Sequence, residues 1–396
     1  MIRIDNDLTF AGCERFIEQI QRSRSRTAEL KLATNVNFST RPAGAVSLAQ
    51  AIVTWARRHV RPTLITYASA VDDLTAIDNL TAELHGVTAA MMATEILAMD
   101  GSTSIRPSIY ESVRSRVVQM NAPGVDALRY GPSASLICVD HSTLGYLNRL
   151  YHGPEVGRRL RGEGDFLDLT IELLDACVPA PSRARIDNDH VSALAAILKE
   201  LVSNTHDHAR RDLEGKTFPK SVRGVHACLH RVERDRIAEF TDGLPTLGTY
   251  LEERAPLWHS RYLALVEISV FDSGPGLAAR SLGRRDEHTS IADEYAAVNR
   301  CFLKHVTSKA RSSDGLGLYR TLGLLKARSG FLRLRTGRLS LCRAFVPAPN
   351  QVLHQTLEPD DLQLRDGVTG GTMPTAMAYA EGAVATILLP VGSVAL

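Results

Sequence analysis

Three short segments in the second half of the chain constrain it more than any other feature: Glu200-x-x-x-Asn204-x-x-x-His208-Ala209, Asp272-Ser273-Gly274-Pro275-Gly276, and Thr307-Ser308-Lys309 followed by Gly315-Leu316-Gly317-Leu318. Asp187-Asn188-Asp189 offers helix-capping side chains, and Val191, Leu194, Ala195, Leu198, Leu201 and Val202 then recur at helical spacing. On that helix Glu200, Asn204 and His208 fall at i, i+4 and i+8 and share one face. A carboxylate and an amide oxygen one turn apart suit Mg²⁺, which keeps several waters and takes its other ligands from phosphates. The plain alternative is a solvated polar face. Leu263 to Phe271 reads as a buried strand running directly into a glycine turn, so Asp272 sits at a strand end. Taken alone, Asp-Ser-Gly-Pro-Gly is also an ordinary tight turn.

The third segment places Lys309 six residues before Gly315, and an apolar helical pattern starts at Leu318. Glycine amides at a helix start form a natural phosphate cradle. In this order the segments resemble the N-box, first glycine box and second glycine box of the GHKL superfamily, which includes gyrase, the ninety-kilodalton heat-shock chaperones, MutL and the histidine-kinase ATPase domain. The resemblance covers roughly residues 185–392. It implies an ATP site in which Asp272 accepts from the adenine amino group and Gly274 and Gly276 let the backbone approach the base. It further implies that Asn204 and Glu200 hold Mg²⁺, with His208 on the same face, and that Glu200 orients and deprotonates a water. Lys309, with Thr307 and Ser308, resembles the family's basic contact to the terminal phosphate, and the loop of Ser313, Gly315, Leu316 and Gly317 would meet the phosphates. Ser313 stands where the family has a glycine, a departure that bears on lid closure. Gly382 to Pro390 fits the family's closing strand, with Ala383 in the place of a threonine and Thr386 as a further candidate contact. Gly371-Thr372 is an earlier candidate for the same turn, and the sequence leaves the choice open.

The fold class expected is α/β: a small N-terminal α/β domain followed by a C-terminal GHKL (Bergerat) α/β sandwich. Residues 1–135 alternate strand and helix patterns (strands near 28–36 and 62–67, helical pattern over 44–60 and 73–97) and weakly resemble the STAS-type folds of bacterial regulators. A connecting helical region is expected over 136–184, with helices at 143–151 and 166–177, and the ATP-binding domain over 185–396. Insertions are read near 233–261 and 345–375.

Net charge is only +2, which gives no general argument for nucleic acid or an anionic membrane as partner. Arg320, Lys326, Arg328, Arg333, Arg335, Arg338 and Arg343 form one local basic stretch, read as a solvated face. Six scattered cysteines without a CxxC pair indicate neither zinc nor a disulfide framework, and suggest a reducing compartment. Met1 to Asp7 lacks a signal-peptide pattern and no apolar run is long enough to span a bilayer, so a cytoplasmic location is expected.

Three functions are compatible with these residues: an ATP-hydrolysing switch, a kinase of the histidine-kinase or anti-sigma type acting on a partner in trans, and an ATP-sensing scaffold with little turnover. The switch ranks first. His85-Gly86, His141-Ser142 and His190-Val191 all lack the context of a phosphoacceptor histidine, which disfavours phosphorylation in cis. The resemblance also implies a protein partner or a homodimer.

Overall fold

Alternating apolar strand and helix patterns build the first part of the chain into β1 (Ile2–Ile4), α1 (Phe10–Arg22), β2 (Thr27–Leu32), α2 (Gly44–Arg58), β3 (Arg61–Ile65), α3 (Leu74–Thr81), α4 (Leu84–Met92), β4 (Glu95–Leu97) and α5 (Arg106–Asn121). The computed structural model describes all of the chain except residues 1, 5–8, 24–26, 34–40, 123–132, 143–144, 154–157, 259, 286–288, 304–316, 349–350 and 392–396. The four strands pair in parallel in the order β1-β2-β3-β4, with helices between successive strands as parallel pairing requires. The long helix expected over 73–97 is instead two helices and a strand. Every residue of α4 is buried, so it cannot continue the half-exposed face of α3, and the chain turns at Ala82-Glu83 to enter the core.

The rest of the chain is β5 (Ser133–Val139), β6 (Tyr151–His152), β7 (Arg159–Leu160), α6 (Glu163–Cys177), α7 (Ala180–Arg183), α8 (Asn188–His208), β8 (Val222–Glu233), α9 (Ile237–Phe240), α10 (Pro245–Arg254), β9 (Tyr262–Asp272), α11 (Leu277–Leu282), α12 (Ile291–Arg300), α13 (Gly317–Ala327), β10 (Phe331–Gly337), β11 (Leu339–Ala344), β12 (Arg365–Asp366) and β13 (Ala380–Val391). Seven of these strands form an antiparallel sheet in the order β12-β11-β10-β13-β9-β8-β5. The architecture is therefore mixed α/β. No described helix is long and apolar enough to cross a membrane, and none of the six cysteines forms a disulfide.

Two boundary expectations change. β5 pairs with β8 along its whole length, from Ser133↔Cys228 to Val139↔Val222, so the division at 135/136 would cut through a strand of the large sheet. Residues 145–150 run as turns into β6 rather than as the helix expected over 143–151. The stretch 345–375 is a built loop: its β12 extends the sheet, and Asp366, almost fully buried, accepts hydrogen bonds from Thr369 and Thr375. The 233–261 segment is helical as expected. Its Phe240, Leu247, Tyr250 and Leu251 close a small apolar cluster over Leu265, Phe331 and Leu388.

Helices α6 and α8 pack on one face of the large sheet, with α13 against α8, and α2 covers the other. All residues of α2 from Gly44 to Ala56 are buried, because the helix lies against the four-stranded sheet's helices on one side and β13 and β9 on the other. Gln50 Nε2 donates to the Arg335 and Glu381 carbonyls, and Thr54 Oγ1 accepts from Glu381 N at 3.0 Å, while the buried Trp55 Nε1 makes no hydrogen bond to another described residue. One apolar cluster runs from Ile2 to Val391, so both sheets share a core.

The arginines of β10 are not solvated. Leu332 and Leu334 face the helices while Arg333 and Arg335, on the alternate face, are buried against α1. Arg335 makes a two-pronged pair with Glu14, at 3.0 Å to each oxygen. Arg333 lies over the Phe10 ring at 4.1 Å and within 3.7 Å of Glu14; burial draws its pKa down to about 10 against the pull of that carboxylate. Arg338 and Arg343 are likewise paired, with Glu294 and Asp361.

Candidate functional site

Helix α8 starts where its sequence says it should. Asp187 caps it by accepting from His190 N at 2.7 Å, and Leu194, Leu198, Leu201 and Val202 bury its apolar stripe against the sheet. The stripe flanking it carries Glu200, Asn204 and His208, all partly exposed. Asn204 Nδ2 is buried and makes no hydrogen bond to another described residue.

The glycine turn after β9 packs on the C-terminal end of this helix. A β-carbon on Gly274 would stand 2.6 Å from Ala209 Cα, so only glycine allows the contact. The α8 terminus is held by Arg280, whose guanidinium donates to the carbonyls of His208, Arg211 and Asp212. Two turns back along α8, Glu200 Oε2 lies 2.3 Å from where a β-carbon on Gly317 would stand, at the first residue of α13. Its other oxygen is 4.0 Å from Arg320. From Glu200 to Ala209 the helix advances about 13 Å.

Asp272 lies at the Ala209 end of this stretch, through its bond to Gly274. It is 8% exposed and its Oδ1 accepts from Gly274 N at 2.8 Å. Burial pushes its carboxyl up to about 6, against the lowering influence of the Gly274 and Ala383 N–H groups and of Arg223. Arg223 sits directly across the strand pair and is itself pinned by Asp140 at 2.9 and 3.1 Å and by the Tyr151 hydroxyl. Ser273 Oγ accepts from Val222 N, and Arg57 at the end of α2 donates to the Ser273 carbonyl at 3.1 Å. The turn is thus braced from both halves of the chain.

Of the two candidate closing turns, Gly382 is the one that adjoins the glycine turn. Gly382 donates to the Gly274 carbonyl at 3.0 Å, has φ of +72°, and leaves no space for a β-carbon, which would stand 1.9 Å from the Asp272 carbonyl oxygen. Gly371 instead bonds to Asp366 at the far edge of the sheet. Thr386 does not belong to the site. Asp272 pairs with Ala383, and a residue three further along β13 must face the other side. Thr386 there shares a hydrogen bond with Ser269 at 2.8 Å, 1% exposed. Thr307, Ser308, Lys309, Ser313, Gly315 and Leu316 lie outside the described residues.

Arg57, Asp140, Arg223 and Arg280 went unnoticed in the sequence. Basic residues in the last turn of α2 are the one local hint; the others are brought in by strand pairing alone.

An Asp272→Asn replacement is expected to do two opposite things. The folded carboxyl holds its proton to higher pH than the unfolded one, so stability falls as pH rises from about 4 to about 6. Asparagine keeps the shape without the charge, and the variant should be roughly 2–3 kcal/mol more stable at pH 7. The resemblance drawn from the sequence implies that its ATP affinity collapses. Urea unfolding from pH 4 to 7 and calorimetry with ATP and GTP check both; a less stable variant, or unchanged ATP affinity, contradicts this account.

No family model, curated protein or solved structure matches the chain.

Proposed function

We propose that this chain binds Mg-ATP in the manner of the GHKL superfamily, in a Bergerat-type α/β sandwich, and hydrolyses it to drive a conformational or assembly switch in the cytoplasm. The observation that carries this reading is the meeting of distant segments on one helix: Gly274 touches the end of α8, and Gly317 touches Glu200 two turns earlier. The buried, elevated Asp272 carboxyl adds to it, since a group held at such a cost marks a functional site.

In this reading Asp272 receives the exocyclic amine of adenine, a donor that guanine lacks at that position, and the close packing at Gly274 and Gly382 shapes the base pocket. Mg²⁺, when bound, supplies charge neutralisation at the phosphates, and Asn204 and Glu200 are the residues to hold it. Glu200 orients and deprotonates the attacking water; Lys309 and the amides of Gly315 and Gly317 meet the terminal phosphates. The α2 brace on Ser273 gives the N-terminal half a route to sense occupancy, toward a protein partner or a second copy.

Incubation with γ-labelled ATP, followed by separation of free phosphate from labelled protein, tests the reading. Release of free phosphate is expected. Label appearing on an added protein instead would favour the kinase reading, and ATP bound with neither outcome the sensor.

A further inference from the structure

Helix α2 is apolar except along one stripe. Between Gly44 and Arg57 its polar residues are Ser47, Gln50, Thr54 and Arg57, spaced three, four and three residues apart, so they fall within an arc of about 80°. Every other position in that span is glycine or apolar, and buried. Polar side chains gathered along one line of a buried helix mark the face that meets hydrogen-bonding groups. Here that face meets strands and turns of the large sheet.

Each of the four residues bonds there. Arg333 Nη1 donates to Ser47 Oγ at 3.5 Å, and Gln50 Nε2 donates to the Arg335 and Glu381 carbonyls at 3.1 and 3.3 Å. Thr54 Oγ1 accepts from Glu381 N at 3.0 Å, and Arg57 Nη2 donates to the Ser273 carbonyl at 3.1 Å. The Arg57 guanidinium also lies 3.9 Å from the centre of the Phe218 ring, which restricts where it can go. The contacts to Glu381 and Ser273 fall on the candidate site. Glu381 and Ser273 precede Gly382 and Gly274, and those two glycines are joined by the bond from Gly382 N to the Gly274 carbonyl at 3.0 Å. Gly274 N in turn donates to Asp272 Oδ1 at 2.8 Å. Through backbone groups, α2 therefore holds both turns that frame Asp272, and Arg57 is the side chain that reaches the Asp272 turn itself.

We propose that Arg57 is a positioning residue for the candidate nucleotide site: its bond to the Ser273 carbonyl sets the Asp272 to Gly274 turn in the conformation that receives the base, and it makes the affinity of the site depend on the placement of α2. This rests on the nucleotide reading. The coupling is reciprocal, so a ligand that tightens the turn also tightens the docking of α2.

Hydrogen exchange on the full chain without ligand reads the turns directly, because Gly274 N and Gly382 N are both hydrogen-bonded donors. Arg57→Ala should speed exchange at both by about tenfold, the scale of one lost charge-assisted hydrogen bond. Arg57→Lys, which keeps the cation and a donor, should recover most of the protection. Ile52→Val, which trims the buried apolar face of the same helix, should leave both amides near the wild-type rate. Calorimetry with Mg-ATP on the same proteins should show affinity weakened about tenfold in Arg57→Ala and largely restored in Arg57→Lys. Unchanged exchange in Arg57→Ala, or the same acceleration in Ile52→Val, overturns the positioning role, as does equal ATP affinity in Arg57→Ala and wild type. If the wild-type chain binds no Mg-ATP while the exchange pattern is as expected, the nucleotide reading is what fails, and the hold of α2 on the turns stands.

Discussion

Glu200→Ala is expected to bind nucleotide and to lose most of its turnover, by about 10²–10⁴-fold, the usual worth of a positioned general base. Glu200 lies near the middle of α8, 26% exposed, with one oxygen against Gly317 and the other 4.0 Å from Arg320. It makes no contact that the fold depends on, so the variant should unfold close to the wild-type denaturant midpoint. Arg320→Ala is the companion: its pairs with Glu163 and Glu200 are largely solvent-exposed, and losing them should change stability by less than about 1 kcal/mol. Asn204→Ala, in contrast, should lose magnesium-dependent binding itself. Steady-state phosphate release, with ATP affinity measured separately, distinguishes these outcomes. Unchanged hydrolysis in Glu200→Ala would remove the general-base assignment and move the protein toward the kinase or sensor readings.

Glu267→Ala should be the most damaging single change outside the site, costing about 3–5 kcal/mol, because three buried hydrogen-bonding partners lose their acceptor at about 1–3 kcal/mol each. Glu267 is 1% exposed in the middle of β9. Its Oε2 pairs with His230 Nε2 at 2.8 Å and accepts from Ala43 N at 2.9 Å, and its Oε1 accepts from Ser269 Oγ at 2.7 Å. Burial works to raise its pKa, yet the His230 hydrogen bond, the His230 and His226 imidazoles and the Ala43 N–H outweigh it and hold the carboxyl at about 2. Its contribution is therefore complete above the unfolded value of about 4.3 and is lost as pH falls toward about 2. Ala43 caps α2 in a left-handed conformation, φ +57°, so the carboxylate fixes the start of the helix that joins the two halves. Denaturant unfolding at pH 7 checks the magnitude. Glu267→Gln, which keeps the shape and one acceptor, should recover part of the loss; equal stability of the alanine variant and wild type would show that the anchor contributes nothing.

Much of the candidate site could be read from local pattern. The Asp187 cap, the apolar stripe of α8 and the one-face spacing of Glu200, Asn204 and His208 are properties of a single helix, and the strand that delivers Asp272 is a single apolar run. Helical and strand periodicities act over a few residues, so they survive whatever packs around them. The alternation of Glu267 and Ser269 with Ile268 and Val270 was also visible, as a polar face within an apolar strand. Its meaning was not, because a polar strand face is solvated in a two-layer fold and buried when a third layer covers it.

That covering layer is what only the tertiary structure decided. Arg333 and Arg335 read as solvated until α1 brings Glu14 against them, and Thr386 read as a nucleotide contact until the Asp272↔Ala383 register placed it on the opposite face. β5 joins the large sheet from before the expected boundary because β8 offers it an edge more than eighty residues later in the chain. Register and layer order are set by which surfaces meet across long sequence separations, and a short-range pattern carries no record of its distant partner.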